Sequence, residues 1–289
     1  DWSREEYEAE KTRVRSTTLK LFTNTPQGPR AYYREVINPD EMGVTEEERE
    51  AAAEKKRSLV LGTLLHELIL EDKKSWHVTD LRTNTNAYKD LKDEVYPKQL
   101  IKPREEKELL TMWSAVMKNT LCKNLLKSGG MSEQTVAWDE VIDGQVIECK
   151  ARLDWLTDSG VIVDLKSSMA VDRNKFNEQI WSYGYDFSAA FYTRGLLSVP
   201  EYQGHQVKFL HLVVNKQGWA YLWPLSPTWM RVGQRNVEAS LRDLAECLNR
   251  QKRGMSPEEA WPDRQEASQL TLLEPKPWYV AQATYNAGR

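Results

Sequence analysis

Three consecutive segments in the middle of the chain alternate apolar and polar residues with a period of two. They are Val136–Ile142, Val146–Leu156 and Val161–Lys166, and they are separated by the turn sequences Asp143-Gly144 and Asp158-Ser159-Gly160. Such alternation is typical of strands with one buried face, and Asp-Gly is a strong hairpin signal. The pattern therefore predicts a three-stranded antiparallel meander.

Helical periodicity predominates before and after the meander, with one further pair of strands near residue 215. The spacing of apolar residues predicts a sheet of mixed direction flanked by helices, an α/β fold. The predicted helical regions are Thr45–Leu70, Lys102–Lys127, Asp172–Ser198 with a break at Gly184, and Pro227–Lys252, and the added strands are Val207–Val214 and Ala220–Leu225.

The length of 289 residues, with 40% hydrophobic and 29% charged positions, suits one large α/β domain or two small ones. We favour a single domain over 1–289, mainly helical over 1–130, with a sheet core over 131–225 and a C-terminal helix and tail over 226–289. No apolar run approaches the roughly 20 residues of a membrane span. The polar amino terminus lacks the pattern of a secretory signal.

Cysteine usage and charge narrow the class further. The three cysteines, Cys122, Cys149 and Cys247, are odd in number and widely separated, which argues against a disulfide framework and against a four-cysteine metal or iron–sulfur site. A reducing cytoplasm fits this usage best. The formal net charge of −3 means that any binding of DNA must depend on a local basic surface.

Acidic residues stand at the adjoining ends of two predicted strands. Strand alternation places Lys150, Arg152 and Asp154 on one face together with Glu148, and Asp164 shares a face with Lys166. If residues 158–160 form a three-residue loop, Asp154 lies opposite Asp164 with Cβ atoms roughly 5 Å apart. The sequence thus predicts two converging carboxylates beside an ammonium group.

Opposed carboxylates destabilise a sheet unless something neutralises them, and a divalent cation with oxygen ligands does so. Mg²⁺ binds through one or two carboxylates and keeps water ligands, so it fits this pair. Lys166 could hold the attacking water or stabilise charge on phosphorus. An isolated Asp-x-Lys in a half-exposed strand is usually a solvated face, but here it follows an Asp-ended strand and a tight turn.

The same residues resemble the D-x(n)-(D/E)-x-K core of the PD-(D/E)XK nucleases, which in this sequence is Asp154 followed by Asp164-Leu165-Lys166. Other segments resemble the branch typified by exonuclease VIII (RecE). They are Gly62-Thr63-Leu64-Leu65-His66, similar to its G-T-x-x-H helix, Cys149-Lys150-Ala151-Arg152-Leu153-Asp154, similar to its C-x-x-R-x-D strand, and the late Ala189-Ala190-Phe191-Tyr192. The resemblance extends over nearly the whole chain.

The resemblance implies roles for individual residues. Asp154, Asp164 and the Leu165 carbonyl would hold the metal, and His66 would contact it or its water. Glu133 would complete the site, and Lys166 would act in catalysis. The family's Q-x-x-x-Y helix is matched by Gln179 with Tyr183, whereas the register ending at Tyr192 has Ser188 in the Gln position. Which pair faces the site stays open at this point.

Basic residues near the predicted metal are candidates for phosphate contacts. We expect Lys150, Arg152, Arg173 and Lys175 to contact DNA, with Tyr192 beside them. The aromatic series Tyr183, Tyr185 and Phe187 favours core packing over base stacking.

By resemblance, the expected activity is that of a Mg²⁺-dependent exonuclease, with Mn²⁺ substituting, that degrades linear double-stranded DNA from 5′ to 3′. The exposed 3′ strand would serve a RecT-type annealing protein, and the family precedent is a ring-shaped homo-oligomer, a trimer or tetramer, with no membrane partner. Two alternatives stay open, an endonuclease of the same fold and a noncatalytic DNA-binding subunit. No P-loop, G-x-S-x-G or His-Glu-x-x-His motif occurs.

Overall fold

A computed structural model describes residues 2–39, 46–170 and 172–264, with the backbone alone over 46–56. The predicted tail beyond residue 264 lies outside these residues. The helices are α1 (Arg4–Ala9), α2 (Ser16–Leu19), α3 (Leu21–Asn24), α4 (Pro29–Tyr32), α5 (Glu46–Leu70), α6 (Asn86–Glu94), α7 (Pro103–Lys118), α8 (Thr120–Lys127), α9 (Arg173–Ser182), α10 (Tyr185–Ser198), α11 (Pro227–Lys252) and α12 (Pro257–Ala260), with a π-helix at Tyr33–Ile37 and a 3₁₀ turn at Pro200–Tyr202.

The strands form a small sheet and a central sheet. In the small one, β1 (Trp76–Val78) pairs in parallel with β2 (Gln99–Ile101). The central sheet has the order β3-β4-β5-β6-β7, in which only the β5–β6 pair is parallel. Its strands are β3 (Gly130–Ile142), β4 (Gln145–Thr157), β5 (Val161–Ser167), β6 (Lys208–Val214) and β7 (Ala220–Pro224). The predicted α/β class, with a mixed sheet and an antiparallel meander, is confirmed.

The β3–β4 hairpin turns at the predicted Asp-Gly pair. Ile142 pairs with Gln145, so two residues make the turn, and both have positive φ, 49° at Asp143 and 76° at Gly144. Two-residue hairpins of this hand require positive φ at both positions, which glycine adopts without strain. The local sequence therefore sets the register of the two longest strands.

The predicted helical regions are present in the described residues, with one difference in where helices end. The region predicted over 102–127 is two helices, because the Asn119 side chain accepts hydrogen bonds from the amides of Leu121 and Cys122 and starts α8. The region predicted over 172–198 breaks where expected, since Gly184 takes a left-handed conformation (φ 61°) between α9 and α10. No helix in the described part of the chain combines the length and apolarity needed to cross a bilayer.

Two large clusters of buried residues hold helices against the sheet. One joins β3 and β4 to α10 and α11 and includes Leu153, Phe191 and Leu241. The other joins β5 and β6 to α5 and α7 and includes Val163 and Leu165. Val163 and Leu165 are buried against these helices. Because side chains alternate along a strand, Asp164 and Lys166 lie on the opposite face of β5.

Candidate active site

Glu133, Asp154 and Asp164 come from three neighbouring strands of the central sheet. The β4–β5 ladder pairs Trp155 with Val163, so Asp154 and Asp164 occupy the next positions in that register. The β3–β4 ladder pairs Ser132 with Trp155 and Gln134 with Leu153 but omits the pair between them, Glu133 and Asp154. The sheet thus places the three acidic residues side by side.

Glu133 has an unusual backbone conformation, with φ 55°. Positive φ is disfavoured for residues with a Cβ atom, and such strain persists only where the surroundings enforce it, often at functional sites. Its side chain is also held, because Arg152 Nε donates to Glu133 Oε2 at 2.7 Å. The Glu133 carboxylate is therefore fixed on the edge of the acidic group.

His66, Glu133 and Asp154 form a cluster with the composition of a metal site. One potential ligand atom from each residue lies within 4.8 Å of the others. His66 Nδ1 is 3.6 Å from Glu133 Oε1 and 3.8 Å from Asp154 Oδ2, and all three side chains are half-buried. Carboxylate and imidazole groups are common ligands of divalent cations. The residues present therefore fit a divalent metal.

Electrostatics in this cluster favour an added cation. Burial raises the pKa of Asp154, and repulsion from Asp164 and Glu133 raises it further, against the opposite effect of His66 and Lys166. Burial alone would lower the pKa of His66, but Asp154 and Glu133 outweigh it and raise that pKa. The negative charge of Asp154 is disfavoured, and the carboxylates beside His66 favour its protonated form. Both effects indicate that the site would be stabilised by added positive charge.

Asp164 stands apart from this cluster, and both of its oxygens have partners. Lys166 Nζ donates to Oδ1 at 2.7 Å, and His211 Nδ1 lies 3.0 Å from Oδ2. Burial alone would raise the pKa of Asp164, but Lys166 and His211 outweigh it and hold that pKa well below its ordinary value. Of the predicted metal ligands in the described residues, the structure groups His66 and Asp154 with Glu133 and leaves Asp164 bonded to Lys166 and His211.

Leu165 connects the two parts of the site. Its backbone amide donates to Asp154 Oδ2 at 2.8 Å, while its side chain is buried between β5 and the helices α5 and α7. The hydrogen bond ties the carboxylate of Asp154 to the strand segment that carries Asp164 and Lys166.

Lys166 is an ammonium group in this arrangement. Burial alone would lower its pKa, but Asp164 and Asp154 outweigh burial and raise that pKa above the ordinary value. The Nζ atom also lies 5.5 Å from the centre of the Tyr185 ring. A protonated lysine cannot accept a proton from water, but it can stabilise negative charge.

The site opens into a cleft of about 470 Å³ between the sheet and the helices α1, α2, α5 and α10. His66, Glu133, Asp154 and Lys166 line it, as does Gly62 one turn before His66. A Cβ atom at Gly62 would meet nothing within 4 Å, so the glycine leaves open space beside the acidic cluster.

Two tyrosines of α10 line the cleft. Of the tyrosines in the two candidate helix pairs, Tyr192 lines the cleft and Tyr183 does not. Ser16 Oγ lies 3.5 Å from the hydroxyl of Tyr192. Burial and the Asp164 carboxylate raise the pKa of Tyr192 to about 12. Tyr185 also lines the cleft, whereas Phe187 is buried in the core and Tyr183 is exposed. The predicted aromatic series therefore lies in three different environments.

Gln179 lies outside the cleft lining. Its Oε1 atom accepts a hydrogen bond of 2.6 Å from the hydroxyl of Ser168, the residue that follows β5. Through Ser168, Gln179 contacts the chain two residues past Lys166, and its role in catalysis stays a prediction.

The prediction that Lys150 contacts DNA is not supported by the structure. Its side chain is fully buried under α1, where Nζ donates to the backbone oxygens of Tyr7 and Glu10 and lies 4.2 Å from the Tyr7 ring centre. The alternation that placed it on an open charged face did not include the helix that covers this face. Lys150 is a structural residue.

The other basic candidates are at the surface or in the cleft. Arg152 lines the cleft, but its guanidinium group donates hydrogen bonds to Glu133 and, at 3.1 Å, to Thr135 Oγ1. Arg173 and Lys175 are exposed in the first turn of α9, outside the cleft lining. Their contact with DNA stays a prediction.

His211 is a site residue that the sequence analysis missed. It lies in β6 within an apolar run, and the parallel β5–β6 register pairs it with Asp164. A lone histidine in a buried strand carries no local signal, because its partner is identified only by a register that spans 47 residues.

A family model and a solved structure with a TM-score of 0.60 agree with this architecture. A family model described as a PDDEXK-like domain of unknown function (DUF3799) matches residues 32–269. Among curated proteins, none matches the sequence. A crystal structure from Eubacterium rectale, described as a "putative exonuclease", is 16% identical with a TM-score of 0.60 and covers 98% of both chains. The structure of SSO0001 is 13% identical with a TM-score of 0.34, covering 88% of this chain and 91% of that one.

Proposed function

The chain belongs to the family of PDDEXK-like domains of unknown function, and from that membership we propose that it is a divalent-metal-dependent nuclease acting on linear double-stranded DNA. The observation that carries the proposal is the grouping of Glu133, Asp154, Asp164 and Lys166 from three neighbouring strands with His66 from α5. Of the expected D-x(n)-(D/E)-x-K residues, Asp154 and Lys166 line the cleft, and Asp164 is buried beside Lys166.

Asp154, Glu133 and His66 would hold the metal, with Asp164 and the Leu165 carbonyl as the further ligands that the family resemblance implies. A bound divalent cation would supply Lewis-acid polarisation of a phosphate and a water of lowered pKa. The fit rests on the short separations within the cluster and on the disfavoured charge of Asp154.

The side chains of the site would supply a positive charge for the phosphate and would hold the catalytic groups in position. Lys166 presents an ammonium group that would stabilise the extra negative charge as a phosphate is attacked. Asp164 orients that ammonium through its 2.7 Å hydrogen bond, and His211 orients Asp164. Arg152 holds Glu133 in place from the opposite side of the cluster.

Exonuclease action from 5′ to 3′ is proposed on the resemblance to the RecE branch. A product with a 3′ single strand, a RecT-type annealing partner and a ring-shaped homo-oligomer belong to the same proposal. The structural neighbour from Eubacterium rectale, described as a putative exonuclease, supports the fold and adds no argument on the direction of cleavage.

Digestion of linear and covalently closed plasmid tests this function. With Mg²⁺ or Mn²⁺ we expect loss of linear DNA, resistance of the closed circle, and no cleavage in EDTA. Separate 5′ and 3′ end labels then report polarity, because a 5′ to 3′ exonuclease releases the 5′ label first. Equal cleavage of both plasmid forms would identify an endonuclease, and retention of both forms with every metal would contradict nuclease activity.

A further inference from the structure

A second cavity, of about 390 Å³, lies where α9, the edge of the sheet and the start of α11 meet. Phe176, Trp223 and Trp229 form its aromatic walls, and Ile180 and Leu225 also line it. It shares no lining residue with the cleft. Apolar and aromatic walls with a few polar groups, in a volume of this size, are typical of sites for small organic ligands.

His211 joins this cavity to the proposed catalytic site. It lines the cavity while its Nδ1 atom contacts Asp164. The residue is 1% exposed, and its Nε2 atom has no hydrogen-bond partner among the described residues. A buried ring nitrogen without a partner is unfavourable, and a ligand with a polar edge would satisfy it.

The opening of the cavity favours an anion. Arg173 lines it and is exposed. Ser226 lines it as well and is the N-cap of the 26-residue helix α11, where its side chain accepts from the amide of Trp229. The N-terminus of a long helix beside a guanidinium group is a favourable place for a phosphate.

A row of aromatic rings leads from the cavity along the edge strand β7 to Trp219, the residue before that strand. The rings of Trp219 and Tyr221 are 6.4 Å apart and inclined by 4°, and those of Tyr221 and Trp223 are 4.8 Å apart and inclined by 8°. Trp223 lines the cavity, and Trp219 is 57% exposed at the far end. Aromatic rings that reach solvent are typical of surfaces on which unpaired bases stack.

We propose that this cavity binds an unpaired nucleotide, with the base among Phe176, Trp223 and Trp229 and the phosphate near Arg173 and the start of α11. The nucleotide is either free or part of a single strand that continues over Tyr221 and Trp219. Only the choice of a nucleotide over other planar anions rests on the proposed function. The register aligns Asp164, His211 and Trp223 across three strands, so the backbone of Trp223 lies roughly 10 Å from that of Asp164.

Binding of deoxyadenosine monophosphate and of the hexanucleotide of deoxyadenosine, both in EDTA, tests the proposal without requiring cleavage. Calorimetry measures the mononucleotide and fluorescence anisotropy the labelled hexanucleotide. Arg173→Glu should weaken both by at least about tenfold, and Ile180→Trp, which fills the cavity, should abolish both. Arg173 is exposed, so this variant stays decisive if Ile180→Trp does not fold.

Trp219→Ala distinguishes the two sources of the nucleotide. If a strand binds, this variant weakens the hexanucleotide by about fivefold or more and leaves the mononucleotide unchanged. If the cavity takes free nucleotide, wild type binds both probes with equal affinity and Trp219→Ala affects neither. Trp181→Ala on α9 is the matched control, since Trp181 is 54% exposed and lies outside the cavity lining, and it should change neither affinity.

Unchanged binding of both probes by Arg173→Glu and a folded Ile180→Trp would overturn the proposal, as would failure of wild type to bind either. Loss of self-association in Trp219→Ala with unchanged hexanucleotide binding would assign the aromatic row to a protein interface. That result would overturn the proposal that a single strand continues over Tyr221 and Trp219. An active nuclease that fails these tests contradicts this inference alone. A protein that binds at the cavity but never cleaves DNA contradicts the proposed function alone.

Discussion

The imidazole Nδ1 atom of His211 lies 3.0 Å from Oδ2 of Asp164, while Lys166 Nζ donates to the other oxygen at 2.7 Å. The two contacts hold the Asp164 carboxylate from both sides. One hydrogen bond alone would leave the carboxylate free to rotate. Groups that orient a catalytic or metal-binding residue are commonly worth one to two orders of magnitude in activity, roughly 10- to 100-fold.

His211→Leu should therefore lower kcat by roughly 10- to 100-fold and change KM for linear DNA by little. His211→Gln, whose amide can still donate to Asp164, should recover part of the loss. Steady-state kinetics on a labelled duplex measures the split, with circular dichroism as the check on folding. An unchanged kcat in folded His211→Leu would show that the contact has no positioning role.

Lys166→Ala should lower cleavage of linear duplex by roughly 10²- to 10³-fold, because it removes the ammonium group from the cleft. DNA binding should stay measurable in a gel-shift assay with Ca²⁺. Lys166→Arg keeps the charge but not the compact geometry and should recover only part of the rate. Activity of Lys166→Ala near the wild-type level would refute the role given to this residue.

The cluster of His66 with two carboxylates predicts a preference among metals. Imidazole is a better ligand for Mn²⁺ than for Mg²⁺, which favours oxygen. Mn²⁺ should thus support activity at lower concentration than Mg²⁺, and Glu133→Gln should raise the Mn²⁺ concentration for half-maximal activity by about tenfold or more. Glu148→Gln, at an exposed ion pair with Arg13, is the control. Equal metal requirements in both variants would exclude Glu133 as a ligand.

Lys150→Met should destabilise the fold without weakening DNA binding. The change leaves the backbone oxygens of Tyr7 and Glu10 without their buried donor, which costs about 1–3 kcal/mol each. Urea unfolding measures the loss in the free energy of unfolding, and Lys208→Met, at an exposed lysine on β6, is the reference. Weakened DNA binding with unchanged stability would restore Lys150 as a contact residue.

Features encoded by local sequence were predicted from it. Alternation and the Asp143-Gly144 turn set the β3–β4 register, and the same alternation placed Asp154 next to Asp164. What was missed depends on distant segments. Lys150 is covered by α1, more than 130 residues earlier in the chain, and His211 meets Asp164 only through the parallel β5–β6 pairing. Periodicity within a segment carries no information about either contact.

Glu133 illustrates the same limit on a smaller scale. The family resemblance pointed to this residue, but its positive φ and the gap in the β3–β4 ladder between Glu133 and Asp154 are not encoded in the alternation of β3. Its side chain also contacts His66 and Arg152, which only the fold brings together.

Metal dependence and the role of Asp154 are tested together by cleavage of an end-labelled linear duplex by wild type and by Asp154→Asn, each in Mn²⁺ and in EDTA. We expect cleavage by wild type in Mn²⁺ only, and a loss of roughly 10²-fold or more in Asp154→Asn. Asp139→Asn, at an exposed acid on β3, should behave as wild type. Cleavage that persists in EDTA, or that survives in Asp154→Asn at the wild-type rate, would contradict a metal-dependent nuclease built on this carboxylate.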